Sequence, residues 1–211
     1  MPSKRQENRQ LQTDKIVKAA KELFTERGLN DVQMKDVAER AGAGVATVFR
    51  YFPKKDELIV EVAIRSLDAV EAEFRRIVSL ESSAFDRLEL LLDTLLDAQK
   101  ADHYKAARFR EAFESYASFR TEPLPEIDRY LARQRQIMDL LEPLITDGEN
   151  DGSINRSIAI KPLIVTVINS YSSFTNNVAL KSSISYLDQD IQPDIQQQVL
   201  KKILLDYCRA H

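Results

Sequence analysis

The sequence predicts an all-α fold of about nine helices, on three observations. The 211 residues include only 5 Gly and 7 Pro, too few breakers for many short strands joined by turns. The apolar residues recur at three- and four-residue spacing, the period of one helix face. The apolar share, 44% beside 30% charged residues, is that of a folded chain and excludes wholesale disorder. A chain of this length buries roughly 70% of its unfolded surface and needs no disulfide or metal to fold. A single cysteine, Cys208, leaves no internal disulfide and no cysteine zinc site.

The elements follow in order. Ile16, Ala19, Ala20, Leu23 and Phe24 mark an amphipathic helix over 13–28. Thr13 is placed to cap its start and Gly28 to end it in the left-handed conformation. A shorter helix over 33–41 turns Val37 and Ala38 inward and stops at Gly42. Gly42-Ala43-Gly44 makes a tight turn into a third helix, 45–52. Pro53 ends it, because proline lacks an N–H and disfavours helical geometry at Phe52.

A long helix from about Lys54 carries Leu58, Val62, Ala63, Leu67, Val70 and Phe74, and Glu81-Ser82-Ser83 breaks it. Phe85, Leu88, Leu91, Leu92, Leu95 and Leu96 mark the next, ending near Asp102. Further helices are expected over 104–120 and 127–144, with Pro123 and Pro125 between them. Residues 147–157 read as a loop, 158–181 as a helix and 182–193 as irregular. A last helix, 194–210, opens at Pro193.

The charge is divided. Residues 1–60 carry 12 Lys and Arg against 9 Asp and Glu, whereas residues 61–211 carry 18 against 24. An N-terminal segment that touches a polyanion, on an acidic body that does not, fits this asymmetry, although so small an excess also arises by chance. Met1 to Gln12 is polar and basic. It is neither a signal peptide nor a membrane anchor, so a cytoplasmic chain is expected. No phosphate-loop or dinucleotide glycine motif is present. His103 and His211 are the only histidines, and no catalytic set, metal cluster or cofactor motif stands out. The expectation is therefore no enzyme, no metal and no cofactor.

The informative stretch runs from Met34 to Lys55: short helix, glycine turn, short helix, proline stop. Helix-turn-helix units have this layout. The first helix braces the second, which must be slim at its N-terminal end to enter the major groove. Val45, Ala46 and Thr47 supply that slim end. Val48 and Phe52, four apart, pack back, which leaves Ala46, Thr47, Arg50 and Tyr51 outward.

Here the sequence resembles the TetR/AcrR family of bacterial transcription regulators. The resemblance rests on Ile16, Ala19-Ala20, Leu23-Phe24 and Gly28, then Val37-Ala38 and Ala41-Gly42, then Thr47 through Leu58. It covers about the first 60 residues. It implies a helix-turn-helix DNA-binding domain over 1–56 and a helical effector-binding and dimerisation domain over 57–211. The family usually has Ser or Thr where Gln33 stands and Ser where Gly44 stands. Both changes remove a hydroxyl that could reach a phosphate.

Carried over by position, the resemblance implies a DNA-facing set of Gln33, Met34, Gly44, Val45, Ala46, Thr47, Phe49, Arg50, Tyr51 and Lys55. Thr47 is expected near a base edge or thymine methyl. Arg50 is expected on guanine, to which it can donate twice, or on a phosphate. Tyr51 can donate to a phosphate and Lys55 can neutralise one. Phe49 can make only apolar contact. Lys4, Arg5 and Arg9 form either a flexible arm along the DNA or a solvated tail.

In the second half, Pro162 to Leu180 contains no charged residue. A charge-free helix in so charged a chain should be buried nearly all round. It is too polar to span lipid, since Asn169, Ser173 and Asn177 would need partners there. One reading sandwiches it, with the last helix, against a partner chain in a four-helix homodimer interface, as the resemblance also implies. The other makes it the core of a monomer. Phe109, Phe113, Tyr116 and Tyr130, with Asn169 and Ser173 as polar groups, are candidates to line a pocket for a small apolar or amphipathic effector. Aromatics at helical spacing are equally what a plain core shows.

The expected function is thus a dimeric repressor, released from a palindromic operator on double-stranded DNA by a small-molecule effector. The alternatives are a helical binder or enzyme with a vestigial helix-turn-helix, or an activator of the same fold.

Overall fold

The computed structural model describes residues 3–97, 103–181 and 191–210. Eleven α-helices lie among them: α1 (Lys4–Arg27), α2 (Met34–Arg40), α3 (Val45–Tyr51), α4 (Lys55–Ser66), α5 (Asp68–Val78), α6 (Ala84–Asp97), α7 (His103–Ser118), α8 (Ile127–Asp139), α9 (Glu142–Asn150), α10 (Ile160–Lys181) and α11 (Pro193–Cys208). The all-α class stands. The one extended pairing among the described residues is an isolated antiparallel bridge between Ile154 and Arg209. The segment 182–190, expected to be irregular, and the end of the sixth helix near Asp102 lie outside the described residues.

Four element boundaries differ from the sequence expectation. α1 begins at Lys4, not Thr13, because Ser3 caps it. The Ser3 backbone donates to the Gln6 side chain at 2.7 Å and the Gln6 N–H to Ser3 Oγ at 3.3 Å, a reciprocal capping box. Thr13 lies inside the helix and donates to the Arg9 carbonyl at 3.0 Å. Lys4, Arg5 and Arg9 are therefore helical and exposed rather than a flexible arm.

The long helix from Lys54 divides at Leu67. Just before the break, Ser66 Oγ bonds the Val62 carbonyl at 2.8 Å, a back-bond that bends helices. The segment 127–144 divides before Glu142, where Pro143 stands in the first turn of α9 and its missing N–H costs nothing. The expected loop 147–157 begins as helix through Asn150. Gly148 is buried in α9, and a Cβ there would meet Ile154 Cδ1 at 3.1 Å and Ile160 Cγ2 at 3.2 Å. This glycine permits close approach inside a helix.

The chain forms two compact units. The first comprises 1–67 and 108–133, and the second 68–107 and 134–211. These limits differ from a division at 56, because parts of α7 and α8 belong with the N-terminal helices. In the first unit, Ile16, Leu23, Phe24, Val37, Val48, Leu58, Ile59, Phe109, Phe113 and Tyr130 share one hydrophobic cluster. In the second, the buried residues include Phe74, Leu88, Leu91, Leu141, Leu144, Ile164, Ile168 and Tyr171. Arg87, only 4% exposed, donates to Asp147 at 2.6 Å and to the Val78 carbonyl at 3.0 Å. Its charge is thus compensated where burial alone would be costly.

Candidate DNA interface

α2 and α3 form the helix-turn-helix. Gly42, with φ +62°, makes the turn. α2 starts where the Gln33 N–H donates to the Asp36 carboxylate at 2.8 Å, which satisfies an orphan donor that the poor capping residue leaves. Arg40, in the last turn of α2, reaches back to α1. It donates to Glu26 at 3.0 Å and Glu22 at 3.4 Å, a fork that holds α2 against its brace.

α3 divides cleanly between its faces. Val48 is fully buried and Phe52 is 8% exposed, both in the cluster with Ile16 and Val37. Val45, Ala46, Phe49 and Arg50 are exposed, and Thr47 and Tyr51 are half-buried. The exposed face of α3 is thus small at its N-terminal end and ends in Phe49 and Arg50. The Arg50 guanidinium lies over the Tyr51 ring, 5.6 Å from its centroid. Stacking of this kind orients a guanidinium without using its donors.

The remaining expected contacts fall out differently. Gln33 and Gly44 are exposed at the starts of α2 and α3. Met34 is buried, 8% exposed, in the core. Its side chain is not on the surface, which corrects the expectation for that residue. Lys55, half-buried, donates from Nζ to the Asn30 carbonyl at 3.3 Å. Burial lowers its pKa, against the opposing pull of Asp56, Asp31 and Asp36.

Of the six residues expected around an effector, four lie in the first unit and Asn169 and Ser173 in the second. Phe109 stacks on Phe24 of α1 with centroids 6.4 Å apart, and on Phe113 at 6.3 Å. Phe113 meets Tyr130 edge to face at 4.9 Å. These three rings are core of the first unit, filled by their own neighbours. Tyr116 donates its hydroxyl to Asp56 of α4 at 2.8 Å. Asn169 and Ser173 stand on the exposed stripe of α10, in the second unit. A groove of about 710 Å³ between the 78–83 turn and α9 is lined by none of the six. The sequence reading missed Asp56, Arg40 and Arg120 as partners in the first unit. A carboxylate opening a helix at Asp56 and an Arg closing one at Arg40 were the available signals.

With this geometry in hand, comparison with known proteins finds likenesses in sequence and in fold. The family model for bacterial regulatory proteins of the tetR family matches residues 16–62, the span from α1 through the helix-turn-helix into α4. Over that span the chain is similar to tetR-family regulators. Among curated proteins it is 21% identical over 147 residues to the transcriptional repressor KstR2 of Mycolicibacterium smegmatis, covering 70% of this chain and 69% of that protein. It is 29% identical over 125 residues to a helix-turn-helix transcriptional regulator of Staphylococcus aureus, covering 52% of this chain and 65% of that one. Two solved structures share the fold. KstR2 of Mycobacterium tuberculosis gives a TM-score of 0.62 at 18% identity, covering 94% of this chain and 95% of that one. SmeT, the repressor of a Stenotrophomonas maltophilia multidrug efflux pump, gives 0.64 at 14%, covering 93% and 90%. The chain is a DNA-binding transcriptional regulator whose helix-turn-helix is α2–α3. Among its described residues no helix is long and apolar enough to cross a membrane.

Proposed function

We propose that this regulator is a dimeric repressor that reads a palindromic operator and leaves it when a small apolar or amphipathic effector binds. The observation that carries the DNA reading is the division of α3, whose buried Val48 and Phe52 fix the helix while Val45, Ala46, Phe49 and Arg50 are exposed and Thr47 is half-buried beside them. Thr47 and Arg50 read bases, and Lys55 and Tyr51 meet phosphate. The helix-turn-helix within 1–56 does the reading, and 57–211 carries the effector and dimer functions. α11 supports the dimer: Ile195, Val199, Ile203 and Tyr207 are 41–59% exposed at four-residue spacing on one face. Beside it, α10 exposes Asn169, Ser170, Ser173 and Asn177 within 162–180, a stretch that holds no charged residue. A charge-free stripe next to an apolar one suits a partner chain better than water. Two-fold pairing would present two recognition helices to two half-sites.

The test is selection of a duplex from a random pool by the wild-type protein, followed by affinity measurements across a salt series. A palindromic consensus and a steep fall of affinity with salt are expected. Thr47→Ala and Arg50→Ala should each cost about 1–3 kcal/mol on that duplex. Weak binding without sequence preference would instead support a helical binder that retains an inactive helix-turn-helix.

A further inference from the structure

The first turn of α4 is held from outside the helix-turn-helix. Its capping residue, Lys54, makes no side-chain capping bond, so the turn lacks the usual local fastening. Asp56 supplies another. One carboxylate oxygen accepts the Tyr116 hydroxyl at 2.8 Å and the other pairs with Arg120. Arg120 also lies over the Tyr116 ring, 5.1 Å from its centroid. Both oxygens of one carboxylate are thus fixed by two side chains that also hold each other, a geometry that leaves the carboxylate no free rotation.

This turn is mechanically close to the DNA-reading surface. Only Phe52, Pro53 and Lys54 separate α3 from α4. Phe52 is buried and Pro53 has a locked φ. A shift of Asp56 must therefore be felt at the C-terminal end of α3 and at Lys55, the adjoining residue. Asp56 also favours the charged form of Lys55, and Arg120 neutralises a carboxylate that would otherwise repel a phosphate approaching that lysine.

We infer that Tyr116 and Arg120 are positioning residues for DNA recognition: through Asp56 they set the register of Lys55 and of the base of α3. This rests on the DNA-binding reading above and gives Tyr116 a role different from effector contact.

The test uses the full chain carrying Tyr116→Phe and Arg120→Met together, with Arg120→Lys as the conservative variant. Amide hydrogen exchange over residues 52–58 is read first, then affinity for the duplex that wild type selects and for a scrambled duplex of equal length. The expected result is a severalfold rise in exchange confined to 52–58, with residues 16–24 of α1 unchanged. Affinity for the selected duplex falls at least tenfold, binding to the scrambled one falls by much less because only the phosphate contact of Lys55 is lost there, and Arg120→Lys recovers part of the loss. Unchanged exchange at 52–58, a uniform rise across the first unit, or equal loss on both duplexes would overturn the inference. If wild type selects no duplex, the DNA-binding reading fails by itself, and the exchange measurement still decides whether the cluster holds α4.

Discussion

Phe24 of α1 and Phe109 of α7 stack with ring centroids 6.4 Å apart and 23° between their planes. The contact places a ring from beyond residue 100 inside the core that carries the helix-turn-helix. Both rings are 2% exposed, so the pair is sealed.

Removing that ring should therefore damage the DNA-binding unit itself. Phe109→Ala opens a cavity between Phe24 and Phe113 and is expected to cost about 3–5 kcal/mol. Urea unfolding followed by far-ultraviolet circular dichroism measures it. A loss under about 1 kcal/mol would mean that the ring faces an open space able to accept a ligand.

The same rings show where sequence reading reaches and where it stops. The helix-turn-helix was legible because its determinants are local: Gly42 at a left-handed turn, Pro53 after the last turn, Val48 and Phe52 on one face. The aromatics of α7 and α8 were visible as a cluster, but their partner Phe24 is remote in sequence, and periodicity does not say which core a face enters. α1 was cut short for a different reason. Residues 4–12 have no apolar face, so helical period gives no signal there, while Ser3 and Gln6 had the spacing of a capping box. The buried side of Met34 was obscured because it opens α2, where DNA contacts in such motifs also fall.

Glycines 42 and 44 look alike in sequence but stand in different backbone regions. Gly44 has φ −69° and ψ 144°, and a Cβ there would meet only Thr47 Oγ1 at 3.8 Å. Gly44→Ser is thus sterically free and adds a capping hydroxyl to α3. It is expected to raise stability by about 0.3 kcal/mol and to leave the selected duplex bound at least as tightly. Gly42, at φ +62° with no atom within 4 Å of a Cβ, has space but the wrong backbone for an L-residue. Gly42→Ala should cost about 1 kcal/mol. Paired thermal melts of the two variants compare them, and equal effects would contradict the assigned backbone.

Asp151 ties the start of α6 to the turn after α9. Its carboxylate accepts the Ala84 N–H at 2.7 Å and the Ser153 N–H at 2.8 Å. Partial burial works to raise its pKa, but these hydrogen bonds and the Arg87 charge outweigh it and hold it below the ordinary 3.8. A carboxyl depressed on folding stabilises fully above its unfolded pKa and loses that contribution as pH falls through the folded value. Asp151→Asn should therefore be less stable than wild type at neutral pH, and the gap should close progressively below about pH 3.8. Denaturant titrations at a series of pH values read it. A gap independent of pH would assign the effect to geometry alone.

Ile203 is 59% exposed at the middle of the apolar face of α11, and Val199 one turn earlier is 53% exposed. A solvated single chain gains nothing from isoleucine at such a position, whereas a two-fold interface buries it twice. Ile203→Asp places a charge where the partner would bring an apolar face, and desolvating that charge is costly. The variant is expected to sediment as a monomer at concentrations where wild type is dimeric, with its helical content unchanged because the residue makes no core contact. Its affinity for a palindromic duplex should drop toward that for a single half-site, since the two recognition helices no longer bind as one body. A variant that remains dimeric and binds the palindrome normally would place the subunit contact on another face.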